Sequence, residues 1–160
     1  MTKQKILTIP AILRRSAEEF RERPAMAFAG EQPVTFGELA KTVSSLVSFL
    51  EKQKIGRGDR VVILAANSPN WGIAYFAITS MGAVAVPLLP DFHADEIANI
   101  LDHSEAKMVF VSEGINSKIP VENKHLDTVI SLEDFSVISG KRPRVSYQQG
   151  ALPDKDYEVM

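Results

Sequence analysis

One stretch of this chain leaves little freedom for the fold: residues 58–90, GDRVVILAANSPNWGIAYFAITSMGAVAVPLLP. Val61-Val62-Ile63-Leu64-Ala65 is a continuous apolar run, the pattern of a strand buried on both faces. Asn67-Ser68-Pro69 supplies a polar cap and then a proline, whose missing N–H does no harm in a first helical turn. The helix that follows is apolar almost all round (Trp71, Ile73, Ala74, Phe76, Ala77, Ile78, Met81), so it is expected to be sandwiched rather than docked by one face. Gly82 stops it, and Val84-Ala85-Val86 resumes as a strand that Pro87 and Pro90 are expected to end. Strand, buried helix and strand in so short a span read as a parallel, right-handed βαβ unit.

The rest of the chain extends this unit. Residues 10–23 read as a first helix, with Ile12 or Leu13, Ala17 and Phe20 on one face and Pro24 as its stop. Residues 25–29 form a short strand, and a turn at 30–33 leads into Val34-Thr35-Phe36. Thr35 and Glu38 have the spacing of a capping box. The helix they open buries Leu39, Val43, Leu46, Val47 and Leu50, and closes at Lys52 and Lys54 with Gly56 beyond. Residues 94–103 are amphipathic through Ile97, Ile100 and Leu101; residues 107–112 form a third buried strand and 127–132 one more. The predicted fold class is therefore α/β: an open, mostly parallel βαβαβ sheet with helices on both faces, preceded by a helix and a short strand. Residues 1–140 are expected to form the α/β unit and residues 141–160, without apolar period, a linker.

Composition narrows the function. The 160 residues carry a formal charge of −2 and show no basic stripe, which argues against a nucleic-acid partner. There is no cysteine, so thiolate chemistry, disulfides and cysteine zinc sites are excluded together. The apolar run at residues 6–9 is too short for a signal peptide, and no window reaches the about 20 apolar residues that span a bilayer. These features lead us to expect a soluble, cytoplasmic protein.

Several constellations invite a chemical reading and have a simpler one. Gly56-Arg57-Gly58 lacks a third glycine and precedes a strand, whereas a dinucleotide fingerprint lies between strand and helix. It reads as a turn. Asp91, His93, Asp95 and Glu96 are the densest set of potential metal ligands, but carboxylates in a first helical turn are explained by the helix dipole. His125 reads as a loop residue, and Trp71 as core rather than the wall of a pocket. No nucleophile elbow is present.

Taken in order, Thr35-Phe36-Gly37-Glu38-Leu39, Gly58-Asp59-Arg60-Val61, Asn67-Ser68-Pro69-Asn70-Trp71, Gly82-Ala83-Val84 and Val86-Pro87-Leu88 resemble the N-terminal segment of the adenylate-forming, AMP-binding enzymes. Residues 9–111 carry the resemblance best, and its overall look is most like the long-chain fatty acid–CoA ligases. Aryl-CoA ligases, acyl-carrier-protein ligases and peptide-synthetase adenylation domains share this opening. The resemblance implies that the chain is the opening part of a longer ligase, inactive alone and contributing scaffold. The parent would use ATP, Mg2+ and coenzyme A to convert a carboxylic acid first to an acyl-adenylate and then to a thioester. The Ser/Thr/Gly-rich phosphate loop, the magnesium-binding acid and the catalytic lysine would all lie beyond Met160. No catalytic residue is therefore expected within the chain. The resemblance also places Lys118 and Lys124 where some relatives carry basic residues near the 3′-phosphate of coenzyme A; otherwise they read as loop lysines on the surface. A sheet meant to be covered by later sequence would expose apolar area, so self-association is expected, through a sheet edge or the Trp71 helix. The alternative is a free-standing, non-catalytic α/β binding module, which would bind at the carboxyl ends of its strands.

Overall fold

The computed structural model describes residues 8–141 and Tyr147. The order is α1 (Ile9–Glu19), β1 (Pro24–Met26), β2 (Val34–Thr35), α2 (Phe36–Lys52), β3 (Arg60–Leu64), α3 (Pro69–Ser80), β4 (Val84–Leu88), α4 (Ala94–Ser104), β5 (Met108–Val111), β6 (Thr128–Ser131) and β7 (Val137–Gly140), with a 3-10 turn at Asn116–Lys118. β1 and β2 form a small antiparallel pair of their own. The main sheet runs β4-β3-β5-β6-β7. Its first four strands are parallel, and β7 returns antiparallel on β6. The α/β architecture with helices on both faces is the one the sequence predicts; β7 is an addition to it.

Alternation along the buried strands divides the core in two. Val61, Ile63, Met108, Phe110 and Ile130 face a layer built from α1, α2 and α3. Val62, Leu64, Val109, Val111 and Val129 face α4 and the β5–β6 connection. Strands covered on both faces need no polar alternation, which is why β3 and β5 read as unbroken apolar runs. The α3 helix, expected to be enclosed all round, buries only Ile73, Ala74, Ala77 and Ile78. It packs on α1, α2, β3 and β4, while Trp71 and Tyr75 stay half-buried and stack on each other 5.4 Å apart.

The α1 helix stops at Glu19, four residues before the expected end. The backbone beyond it is engaged elsewhere: the carbonyls of Arg21 and Arg23 accept the N–H groups of Gly37 and Phe36, at 2.9 and 3.0 Å. Those amides belong to the first turn of α2, where no intrahelical partner exists. Leu13, not Ile12, faces the core; Ile12 is half exposed. The Thr35–Glu38 capping box is present as read, with Glu38 accepting from the Thr35 N–H at 2.9 Å and Thr35 Oγ1 from the Glu38 N–H at 3.2 Å.

Three helices end alike. Lys54, Gly82 and Glu105 take φ of 63°, 74° and 52°, and the next residue donates to a carbonyl five back: Ile55 to Leu50, Ala83 to Ile78, Ala106 to Leu101. This is the Schellman closure, which favours glycine at the left-handed position. Gly82 acts as expected, but α2 uses Lys54 for that role rather than Gly56.

Pro87 does not end β4; it lies inside the strand, opposite Ile63. Val84 donates its N–H to the Asp59 carbonyl, so the N–H groups of even-numbered β4 residues point at β3 and the backbone of Pro87 points away from it. β4 is an edge strand, so a residue without an N–H is tolerated there and blunts the edge. β7, the other edge, carries a register irregularity against β6 between Val129 and Ile130. Of the expected linker at 141–160, all but Lys141 and Tyr147 lies outside the described residues. No helix among the described residues is long and apolar enough to cross a membrane.

Candidate functional site

Four parallel strands bring their carboxyl ends to one rim. The β3 connection leaves over the α3 face and the β5 connection over the α4 face. The crevice between these two strands is where open α/β sheets take ligands. Here, side chains lace it internally. Asn70, in the first turn of α3, donates both protons of Nδ2, to the carbonyl of Leu132 at 2.9 Å and to that of Glu133 at 2.8 Å. Glu133 in turn accepts the Glu113 N–H at 3.0 Å and the Ser131 hydroxyl at 3.1 Å. The start of α3 and the ends of β5 and β6 are thereby tied together.

The rim is acidic. Asp91, Glu113, Glu133 and Asp134 lie along it, and Asp134 has its pKa lowered, first by the backbone N–H of Ser136 and then by its hydroxyl. The helix starts cap themselves: Ser68 Oγ accepts the Trp71 N–H at 3.0 Å, and Glu96 accepts the His93 N–H at 2.8 Å. A phosphate needs free amides or cations at such a place. With carboxylates along it and the Trp71 and His93 amides already engaged, this rim is a poor seat for the phosphates of ATP.

Lys118 and Lys124 sit in the β5–β6 connection but serve different places. Lys118 is half-buried, and its ammonium donates to the carbonyl of Pro90 at 2.6 Å and of Phe92 at 3.0 Å, in the β4–α4 turn. Lys124 is exposed and, with Lys141, Asn116 and Asn123, lines an open cleft of about 780 Å³ floored by Ile119 and Val129. Asn123 shapes this loop by accepting the N–H groups of His125 and Leu126, at 2.9 and 3.0 Å, and by donating to Asp102 of α4 at 3.0 Å. The Lys141 ammonium lies 3.4 Å from the carbonyls of Asn123 and Lys124 and 3.6 Å from Asp127. Sequence reasoning had no access to Lys141 or Glu133 as site-forming residues, because each acts across a gap in sequence that no local motif spans.

The remaining motifs resolve as local structure. Gly56 donates to Asp59 Oδ2 at 2.9 Å and Gly58 to the Gly82 carbonyl at 2.9 Å, with Gly58 at φ 81°, so the glycine pair makes a turn. Asp59 also binds Lys107 at 2.7 Å. Burial alone would raise the Asp59 pKa; the Lys107 and Gly56 hydrogen bonds and the charges of Lys107 and Arg60 outweigh it, and the net shift is downward. Among the described residues, no group of three or more His, Cys, Asp or Glu is placed to hold a metal ion.

Against known proteins, the family model described as "AMP-binding enzyme" matches residues 13–156. Tyrocidine synthase 2 of Brevibacillus parabrevis is 30% identical over 129 residues, covering 79% of this chain and 4% of that protein. The 4-hydroxybutyrate–CoA ligase 2 of Metallosphaera sedula is 26% identical over 150 residues, covering 90% of this chain and 27% of that protein. Among solved structures, a long-chain-fatty-acid-CoA ligase from Archaeoglobus fulgidus superposes with a TM-score of 0.71 at 22% identity, covering 84% of this chain and 30% of that one. The chain thus spans less than a third of each of these relatives.

Proposed function

Since the chain belongs to the AMP-binding enzyme family, we propose that it is the opening scaffold of an acid–thiol ligase that activates a carboxylic acid with ATP and passes the acyl group to coenzyme A. The observation that carries this reading is the family match over residues 13–156, nearly the whole described unit. The acid we favour is a long-chain fatty acid. The structural likeness to a long-chain-fatty-acid-CoA ligase supports it, while a tyrocidine synthase and a 4-hydroxybutyrate–CoA ligase are more identical in sequence, at 30% and 26% against 22%. The proposed alternatives are an aryl-CoA ligase, a carrier-protein ligase and a free-standing binding module.

What these residues contribute is rigidity at one rim. The acidic, internally laced carboxyl end suits the phosphates of ATP poorly, and no group of acids among the described residues is gathered for Mg2+, so in this reading both are held by later sequence and residues 1–160 alone are inactive. Coenzyme A is a separate question. Of the two lysines that the resemblance singles out, the exposed Lys124 beside Lys141 is our proposed contact for its 3′-phosphate, while the ammonium of Lys118 is already engaged by two carbonyls. Self-association also belongs to the proposal. Pro87 blunts the β4 edge, which favours the half-buried Trp71–Tyr75 face over that edge as the contact.

The test is carboxylate-dependent ATP–pyrophosphate exchange by the protein extended along its natural reading frame, with residues 1–160 as control. Exchange by the extended chain with fatty acids and none by the control is expected. Absence of exchange with every fatty, aromatic and short-chain acid, or a frame that stops at Met160, would overturn the ligase reading in favour of the binding module.

A further inference from the structure

Lys118 is placed unlike a residue waiting for an anion. The three segments it could reach are the 3-10 turn it belongs to, the β4–α4 turn and the apolar cluster beneath both, which contains Phe92, Ile115 and Ile119. Its own backbone is fixed in that turn, the N–H donating to the Ile115 carbonyl at 3.0 Å. Its ammonium then crosses to the carbonyls of Pro90 and Phe92, at 2.6 and 3.0 Å. The turn so gripped is closed only weakly by backbone, since the Phe92 N–H reaches the Leu89 carbonyl at 3.3 Å. A charged donor shared by two carbonyls is among the stronger single links available to a loop.

We propose that Lys118 is a positioning residue: its ammonium is the clamp that sets the β4–α4 turn on the carboxyl rim, and it does not serve as a contact for phosphate. The geometry joins two connections that leave neighbouring strand ends. It ties Pro90 and Phe92, on either side of Asp91, to one cation 28 and 26 residues away in sequence. Neutralising or shortening Lys118 frees the turn while leaving the apolar cluster under it intact.

The experiment uses residues 1–160 and the variants Lys118→Met, Lys118→Gln and Lys118→Arg. Amide exchange of Phe92 and His93 is followed by NMR, with the β3 and β5 amides as internal reference. Loss of a charge-assisted link predicts exchange about tenfold faster or more at Phe92 and His93 in the Met and Gln variants, with β3 and β5 unchanged. Arginine, which can also donate to two carbonyls, keeps exchange slow. In the wild-type chain, 3′,5′-ADP leaves the Lys118 side-chain signals where they are. A second arm rests on the ligase reading and is separable from the first. In the extended enzyme, Lys118→Met lowers kcat and leaves the kcat/KM ratio of coenzyme A to dephospho-coenzyme A unchanged. Unaltered exchange at Phe92 and His93 in the Met and Gln variants overturns the clamp. So does a Lys118 shift on adding 3′,5′-ADP, or a collapse of the coenzyme ratio. An extended protein with no ligase activity refutes the functional reading alone, because the exchange arm needs no turnover.

Discussion

Replacing Asn70 by aspartate changes one atom's chemistry at nearly constant shape, and the rim lacing makes its outcome calculable. The two protons of Nδ2 are both used, on consecutive carbonyls of the turn after β6. Asn70→Ala removes two hydrogen bonds worth about 1 kcal/mol each. The Glu133 carbonyl lies toward solvent and recovers water, while that of Leu132 is partly buried and recovers less. The sum is a loss of about 1–2 kcal/mol. Asn70→Asp adds a carboxylate against two carbonyl oxygens, in the same turn as the Glu133 carboxylate, and raises the cost to about 2–4 kcal/mol at neutral pH. The introduced carboxyl has its pKa raised in the folded state above its unfolded value. The folded form therefore binds the proton more tightly, and the variant regains stability relative to wild type as pH falls through the raised pKa. Urea unfolding of wild type and both variants at pH 7 and pH 5 reads this directly, with unchanged m-values as the check on two-state behaviour. The expected order at pH 7 is wild type, Asn70→Ala, Asn70→Asp, and the last gap narrows at pH 5. An aspartate variant within about 0.5 kcal/mol of wild type, or a deficit that does not move with pH, would refute the claim that Asn70 donates to both carbonyls.

Lys54→Gly is expected to raise stability by about 0.5–1 kcal/mol, since a lysine at φ 63° bears a left-handed penalty that glycine escapes; thermal unfolding measures it. Asp59, whose folded pKa is depressed, contributes stability present above the ordinary carboxylate pKa and lost as pH falls through the depressed one. An acid-unfolding series should accordingly show wild type losing its lead over Asp59→Asn within that window. Pro87→Val restores an outward N–H to the β4 edge and should increase concentration-dependent association in sedimentation, whereas Pro87→Val at unchanged sedimentation would contradict the outward placement.

Elements whose signal is local were readable in the sequence. The Thr35–Glu38 box, the Gly82 stop and the apolar runs of β3 and β5 declare themselves within a few residues. The features that escaped depend on partners far along the chain. The early end of α1 follows from carbonyls of Arg21 and Arg23 being claimed by α2. Pro87 looks like a strand terminator until the strand is known to be an edge. β7 has only Val137 and Ile138 to mark it, too few for a period. At the candidate site the rim segments were legible as strand ends, but not the side chains that cross between them. Lys118 looked like an exposed loop lysine because nothing near it in sequence shows the carbonyls it grips.

The three Schellman closures have a further consequence. At the amino ends of β3, β4 and β5 these closures are main-chain bonds, to which Asp59 adds its links to Gly56 and Lys107, and Arg60 its link to the Ser104 carbonyl. At the carboxyl ends the geometry is held by Asn70, Glu133 and Lys118, each replaceable by a single codon change. The main-chain closures at one pole thus survive a change of side chain, while each side-chain link at the other can be removed one residue at a time. Substitutions at the carboxyl pole can therefore reshape that rim without touching the closures that precede the strands.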